Sequence, residues 1–204
     1  IFRLERETIP YWSKFLQGYY DSSGISSDSF DKAVSITTQG EPTLTEDMQE
    51  KGIQLLTAVT TSTYYTGFNM RDPVIGGNSE RARLLRRAIA IAADYEEYIS
   101  IFNNGRGLAA QGPLPPGLVG NREGKEGINP YVYDWVNGQP KRKSIAEAQR
   151  LLSKAGYPNG INKKTGEAHV INLDTADSGP DAKARLNWWR KQFKKLNIGR
   201  IIRR

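Results

Sequence analysis

The sequence predicts an α/β fold in which a mixed sheet is flanked by helices. Strand-like runs alternate along the chain with amphipathic helical runs, the order that layers helices against a sheet. Hydrophobic residues make up 38% of the 204, enough to close the core such a structure needs.

Phe2-Arg3-Leu4-Glu5 alternates apolar and charged side chains, as a half-buried strand does. A helix follows, with Thr8 as its cap, Pro10 in its first turn, Tyr11, Trp12, Phe15 and Leu16 on one side, and Gly18 as its stop. Tyr20 to Ser26 reads as a short strand or turn. Asp28 opens a second short helix through Phe30, Ala33 and Val34, and Thr45 caps a third that ends at Gly52. From Ile53 to Met70 the chain carries no charge and is rich in β-branched and aromatic residues, which predicts two strands with a break near Thr61 to Thr63.

Asn78 or Ser79 then caps a long helix whose stripe is Leu85, Ala88, Ala92, Tyr95, Ile99 and Phe102, stopping at Asn104-Gly105. Gly107 to Asn129 holds six glycines and three prolines and reads as a long surface excursion, within which Gly112-Pro-Leu-Pro-Pro-Gly117 is a candidate for ligand or lobe contact. Ser144-Ile-Ala-Glu147 is a capping box, and Ala148, Leu151, Leu152 and Ala155 supply the buried face of its helix. Gly156 suits the left-handed residue that ends a helix, and Pro158 forbids resumption. Glu167 to Asp174 reads as a strand. Pro180 opens the last helix, with the stripe Ala182, Leu186, Trp189, Phe193 and Leu196, and Ile198-Gly-Arg-Ile-Ile is the final strand.

The residue inventory narrows the chemistry. Cysteine is absent, which removes disulfides, thiolate nucleophiles and cysteine metal sites. The single histidine, His169, lies in a strand-like run and is expected to have a structural or surface role, so neither a metal nor a cofactor is expected. No run approaches the roughly 18 apolar residues of a membrane span. Ile1-FRLERE resembles neither a start nor a signal peptide, so the chain is expected to be a piece of a longer protein.

The net charge of +7 is uneven. From Arg122 onward there are eighteen Lys/Arg against eight Asp/Glu, and before it eleven against fourteen. The densest basic run is Lys183, Arg185, Arg190, Lys191, Lys194 and Lys195 on the last helix. It admits a nucleic-acid-binding reading, although a solvated helix face accounts for it without one. A carboxylate-dependent hydrolase is the other alternative, from Glu96-Glu97 and Asp174/Asp177. Adjacent Glu96 and Glu97 project about 100° apart on a helix and do not face each other.

Three stretches carry a family resemblance. Thr63-YYTGFNM resembles a strand leading to a Phe-Asn pair, Arg87-AIAIAADYEEYI a helix patterned R-x-A-x-x-x-A-x-D-R-x-x-I with Tyr95 where arginine is usual, and Ala148-QRLLSKAGYPNG the segment A-x-x-L-L-x-x-A-G-Y-x-x-G. Trp12-SKFLQGYYD, Gly112-PLPPG and Asn187-WWRKQFKKLNIG match more weakly, in the same order. Together they are similar to the extracytoplasmic solute-binding proteins of peptide-type ABC importers, family 5.

The resemblance implies one lobe of a type II periplasmic-binding fold, in which two α/β lobes close on a ligand through hinge strands. Residues 1–204 would be a single lobe from the later half of such a protein, with severed hinge strands at its ends. The implied function is to bind a peptide or similar small solute and present it to a membrane ABC permease, as a monomer in the periplasm or on the outer side of the membrane, with a lipid anchor compatible. No enzymatic step and no nucleic-acid partner are implied. Candidate ligand contacts are Tyr64, Tyr65, Phe68 and Asn69, the loop from Gly112 through Pro113, Leu114 and Pro115 to Gly117, and Tyr133, Asp134 and Trp135. Asp134 would meet a ligand amine and Trp135 would floor a side-chain pocket. Aromatics in an apolar strand also suit a core, and an aspartate also caps turns.

Overall fold

A computed structural model of the chain describes residues 8–25, 27–36, 42–58, 60–175, 181–198 and 200–203. They form two compact units, one from the described residues of 1–60 with 99–108, the other from 61–98 with 109–204. The expected strand at Phe2–Glu5 and the helix start at Pro180 lie outside the described residues. The α/β class holds, and among the described residues strand pairing falls into three two-stranded ladders rather than one continuous mixed sheet.

In the first unit, α1 (Thr8–Leu16) buries Trp12, which stacks on Phe15 at 5.4 Å. Residues 20–25 form no strand. α2 (Phe30–Ala33) runs directly into β1 (Val34–Ile36), antiparallel to β2 (Pro42–Leu44) with Val34 opposite Leu44. α3 (Glu46–Glu50) begins after Thr45 as expected, yet the Thr45 hydroxyl donates 2.9 Å to the Lys32 carbonyl instead of capping the helix. Trp12, Phe30, Ala33, Val34, Leu44 and Met48 make the core.

Among the described residues the two strands expected between Ile53 and Met70 do not form. A strand is stabilised only by a ladder partner for its backbone N–H and C=O groups. Among the described residues Thr61–Phe68 pairs with no strand. The run is held instead by Ile53 and Leu55 against the core of the first unit, and by Phe68 against that of the second and the Thr66 hydroxyl 2.8 Å from the Tyr95 hydroxyl.

The second unit is built on α4 (Glu80–Ala92) and α6 (Ile145–Lys154), whose apolar faces meet. Ser79 caps α4 by accepting from Ala82 N–H at 3.2 Å. The expected single long helix is broken. Ala93 turns out of helical geometry (ψ 96°), and Asp94 starts α5 (Tyr95–Phe102) by accepting the Glu97 N–H on its side chain at 3.0 Å. An aspartate competing for backbone donors ends one helix and caps the next. Ser144 likewise accepts from Glu147 N–H at 3.2 Å. Glu147 itself pairs with Arg150, so only half of the capping box is shown.

α6 leaves through Gly156-Tyr157-Pro158-Asn159-Gly160. Gly156 is left-handed (φ 88°) and donates to Ser153 O, while Tyr157 N–H reaches back to Leu152 O at 3.1 Å, a paired closure of the last turn. Gly160 packs against another backbone: a Cβ there would lie 2.5 Å from the Asn197 carbonyl oxygen, and its own carbonyl accepts from His169 N–H at 2.7 Å. The turn thereby ties the end of α6 to the end of α7 (Asp181–Lys194) and to β5 (Val170–Leu173), which pairs in parallel with β6 (Arg200–Arg203). β5 is shorter than the expected Glu167–Asp174 strand. On α7 the buried tryptophan is Trp188 rather than Trp189, and its indole N–H donates to Glu97 at 3.1 Å.

Candidate functional site

Tyr133, Asp134 and Trp135 lie on β3 (Tyr133–Val136), which folds back on β4 (Gln139–Arg142) with Tyr133 opposite Arg142 and Val136 opposite Gln139. Asn137 and Gly138, with φ of 51° and 82°, form the two-residue left-handed turn that suits strand twist. Alternation along β3 turns Tyr133 inward and Asp134 outward, with Trp135 half-buried. An open pocket of about 460 Å³ is lined by these three with Lys125, Glu126, Ile128 and Pro130.

Arg142 fixes this wall. Its guanidinium donates to the Glu96 carboxylate at 2.9 and 2.6 Å, to the Tyr133 hydroxyl at 2.6 Å, and to the Ala90 and Ile91 carbonyls at 3.1 and 3.4 Å. Those carbonyls belong to the last turn of α4, which has no helical donors left for them. One side chain therefore joins the α4–α5 break to the hairpin. Burial pushes the Glu96 carboxyl up, but the Tyr133 hydroxyl and the Arg142 charge outweigh it and hold it below its usual range. Burial, with Glu96 beside it, raises the Tyr133 hydroxyl. Asp134 is engaged as well, its carboxylate 2.6 Å from the Lys143 ammonium, so a ligand amine there would compete with an internal cation.

The other candidates lie elsewhere. Tyr64 and Tyr65 are 92% and 85% exposed, which removes a core role, and Phe68 packs on the core. Asn69 accepts from Arg71 N–H at 3.0 Å, shaping a turn. Gly112, Pro113 and Leu114 are exposed and Pro115 is half-buried, in a loop that Asn121 clasps by donating 2.7 Å to the Leu114 carbonyl. None of these lines the hairpin pocket. The pocket's other walls, with Arg142 and Lys143, were missed in the sequence reading. The Asn-Gly pair between two short runs was the available sign of the hairpin.

Glu96 and Glu97 diverge to different partners. Glu97 accepts from Lys191 at 2.9 Å, from Trp188 and from Gln192, and the lysine contact leads in lowering its carboxyl, against a smaller opposing effect of burial. The basic helix thus spends Lys191 on Glu97 and Lys195 on Gln192. His169 is buried, with its ring 4.7 Å from that of Tyr157 and Nε2 without a partner. Burial first, then the Arg81 charge, hold it below the usual 6.5, with Asp72 opposing. Among the described residues no cluster of potential metal ligands occurs, and no helix is long and apolar enough to cross a membrane.

The α/β chain thus carries an open pocket beside the β3–β4 hairpin. Residues 21–203 match the family of bacterial extracellular solute-binding proteins, family 5 Middle, and the chain belongs to that family. Its members share the type II periplasmic-binding fold, act outside the cytoplasm, and bind solutes for delivery to ABC permeases, a binding role. No curated protein and no solved structure gives a significant match.

Proposed function

We propose that the chain is one lobe of a binding protein that captures a peptide or similar solute, and that the β3–β4 pocket is part of its ligand-facing wall. The observation that carries this reading is the convergence of Tyr133, Asp134 and Trp135 with Lys125 and Glu126 around one open pocket. Both signs of charge beside an aromatic floor suit a ligand that carries both charges and an apolar side chain. Tyr64, Tyr65 and the Gly112–Pro115 loop supply further contacts when the opposite lobe closes. The protein works as a monomer outside the cytoplasm, held near its permease.

The test is a calorimetric titration of the protein carrying this chain with di- to pentapeptides, repeated on Trp135→Ala. Loss of about tenfold or more in affinity is expected for a buried aromatic anchor. Unchanged affinity would remove the pocket from the ligand's path. Residues 1–204 alone should bind weakly, since one wall does not exclude water from the ligand, and submicromolar binding by them would contradict the lobe assignment.

A further inference from the structure

The sequence contains three Asn-Gly pairs, Asn104-Gly105, Asn137-Gly138 and Asn159-Gly160, and all three asparagines are left-handed, with φ of 52°, 51° and 53°. Asn-Gly is the dipeptide most open to attack of the following backbone nitrogen on the asparagine amide, because glycine places no side chain in the way. The structure separates the three by what each nitrogen is doing. Gly160 N–H donates to Tyr157 O at 3.0 Å, its carbonyl accepts from His169, and the residue is buried against the Asn197 carbonyl. Gly105 N–H donates to Ile99 O at 3.0 Å, closing the end of α5. Gly138 is exposed, nothing lies within 4 Å of its Cβ position, and among the described residues its N–H has no acceptor.

We propose that Asn137 is the chain's site of spontaneous deamidation and isoaspartate formation. The Gly138 nitrogen bonds to Asn137 Cγ, the Cγ–Nδ2 bond breaks, and ammonia leaves with the proton from Gly138 N–H. Water then opens the cyclic imide at either carbonyl, giving aspartate or isoaspartate, with no change of oxidation state. Asn137 must first rotate out of its left-handed conformation. At the tip of an exposed hairpin that costs only the turn, whereas at Asn159 it requires opening the junction of α6, β5 and α7.

The product acts on the candidate wall. Isoaspartate adds a methylene to the main chain of a turn whose twist fits its strands only with both residues left-handed. It also places a carboxylate where a neutral amide stood. The Tyr133–Arg142 register loosens, and Asp134 and Trp135 lose their fixed placement. The modification itself depends on the fold alone, not on the ligand reading.

The experiment is to age the folded chain in mildly alkaline buffer and follow the three Asn-Gly peptides by mass spectrometry, with isoaspartate detected by enzymatic methylation. Conversion at Asn137 should run at least about tenfold ahead of Asn159, with Asn104 behind Asn137, and the three should converge when the chain is unfolded in denaturant. Asn104 or Asn159 keeping pace with Asn137 in the folded chain would overturn the proposal. Asn137→Gly keeps a turn-compatible pair and removes the reactive amide. Hairpin amide exchange should rise on ageing in the natural chain and stay flat in this variant; an equal rise in both would overturn the assigned effect on the wall.

Discussion

Replacing Arg142 with methionine tests the clasp that holds the candidate wall. The side chain is 14% exposed and makes five hydrogen bonds to four acceptors. Removing it leaves the Ala90 and Ile91 carbonyls and the Tyr133 hydroxyl without that donor, at about 0.5–1.5 kcal/mol each. Glu96 is 47% exposed, so its lost ion pair is screened and adds only about 0.5–1 kcal/mol. Methionine recovers part of the packing, and the net expected loss is about 2–4 kcal/mol. Urea unfolding followed on hairpin amides should show the midpoint fall by about 1 M. Arg142→Lys keeps the charge but not the planar fork and should recover less than half of the loss. A midpoint unchanged in Arg142→Met, or a loss that spares the hairpin, would refute the reasoning.

Gly160→Ala combines a left-handed alanine with a Cβ 2.5 Å from a carbonyl oxygen, and should cost roughly 2–4 kcal/mol by thermal or urea unfolding. Gly138→Ala, with open space around it, should cost only the backbone term of about 1–2 kcal/mol. Glu97→Gln weakens the carboxylate that gathers Lys191, Trp188 and Gln192. It should cost about 1–2 kcal/mol, seen as faster amide exchange where α7 meets α5. Because His169 is depressed in the folded chain, the unfolded chain binds the extra proton as pH falls below about 6.5. Stability should drop through that range until the folded ring itself protonates. His169 is the only histidine, so its ring titration by NMR reads the midpoint directly; a midpoint at or above 6.5 would contradict the burial argument.

What was legible in the sequence was what local chemistry decides. Ser79, Ser144 and Gly156 mark helix ends because a hydroxyl or a left-handed glycine settles the matter within one turn. The break at Asp94 has an equally local cause, but the continuous apolar stripe across it pointed to one helix. Composition misled between Ile53 and Met70, since β-branched residues favour a ladder that only a distant partner completes. The hairpin pocket combined both problems. Asn137-Gly138 was readable, whereas Arg142, which comes to Glu96 from 46 positions away, is brought there only by the fold.

The proposed binding wall is tested most directly by amide and indole NMR of the chain titrated with a di- to pentapeptide mixture up to millimolar concentration, a method that registers weak contact. Shifts concentrated at Lys125–Pro130 and on β3, with the Trp135 indole among them, are the predicted result. Shifts confined to other surfaces, or none at millimolar peptide, would contradict it.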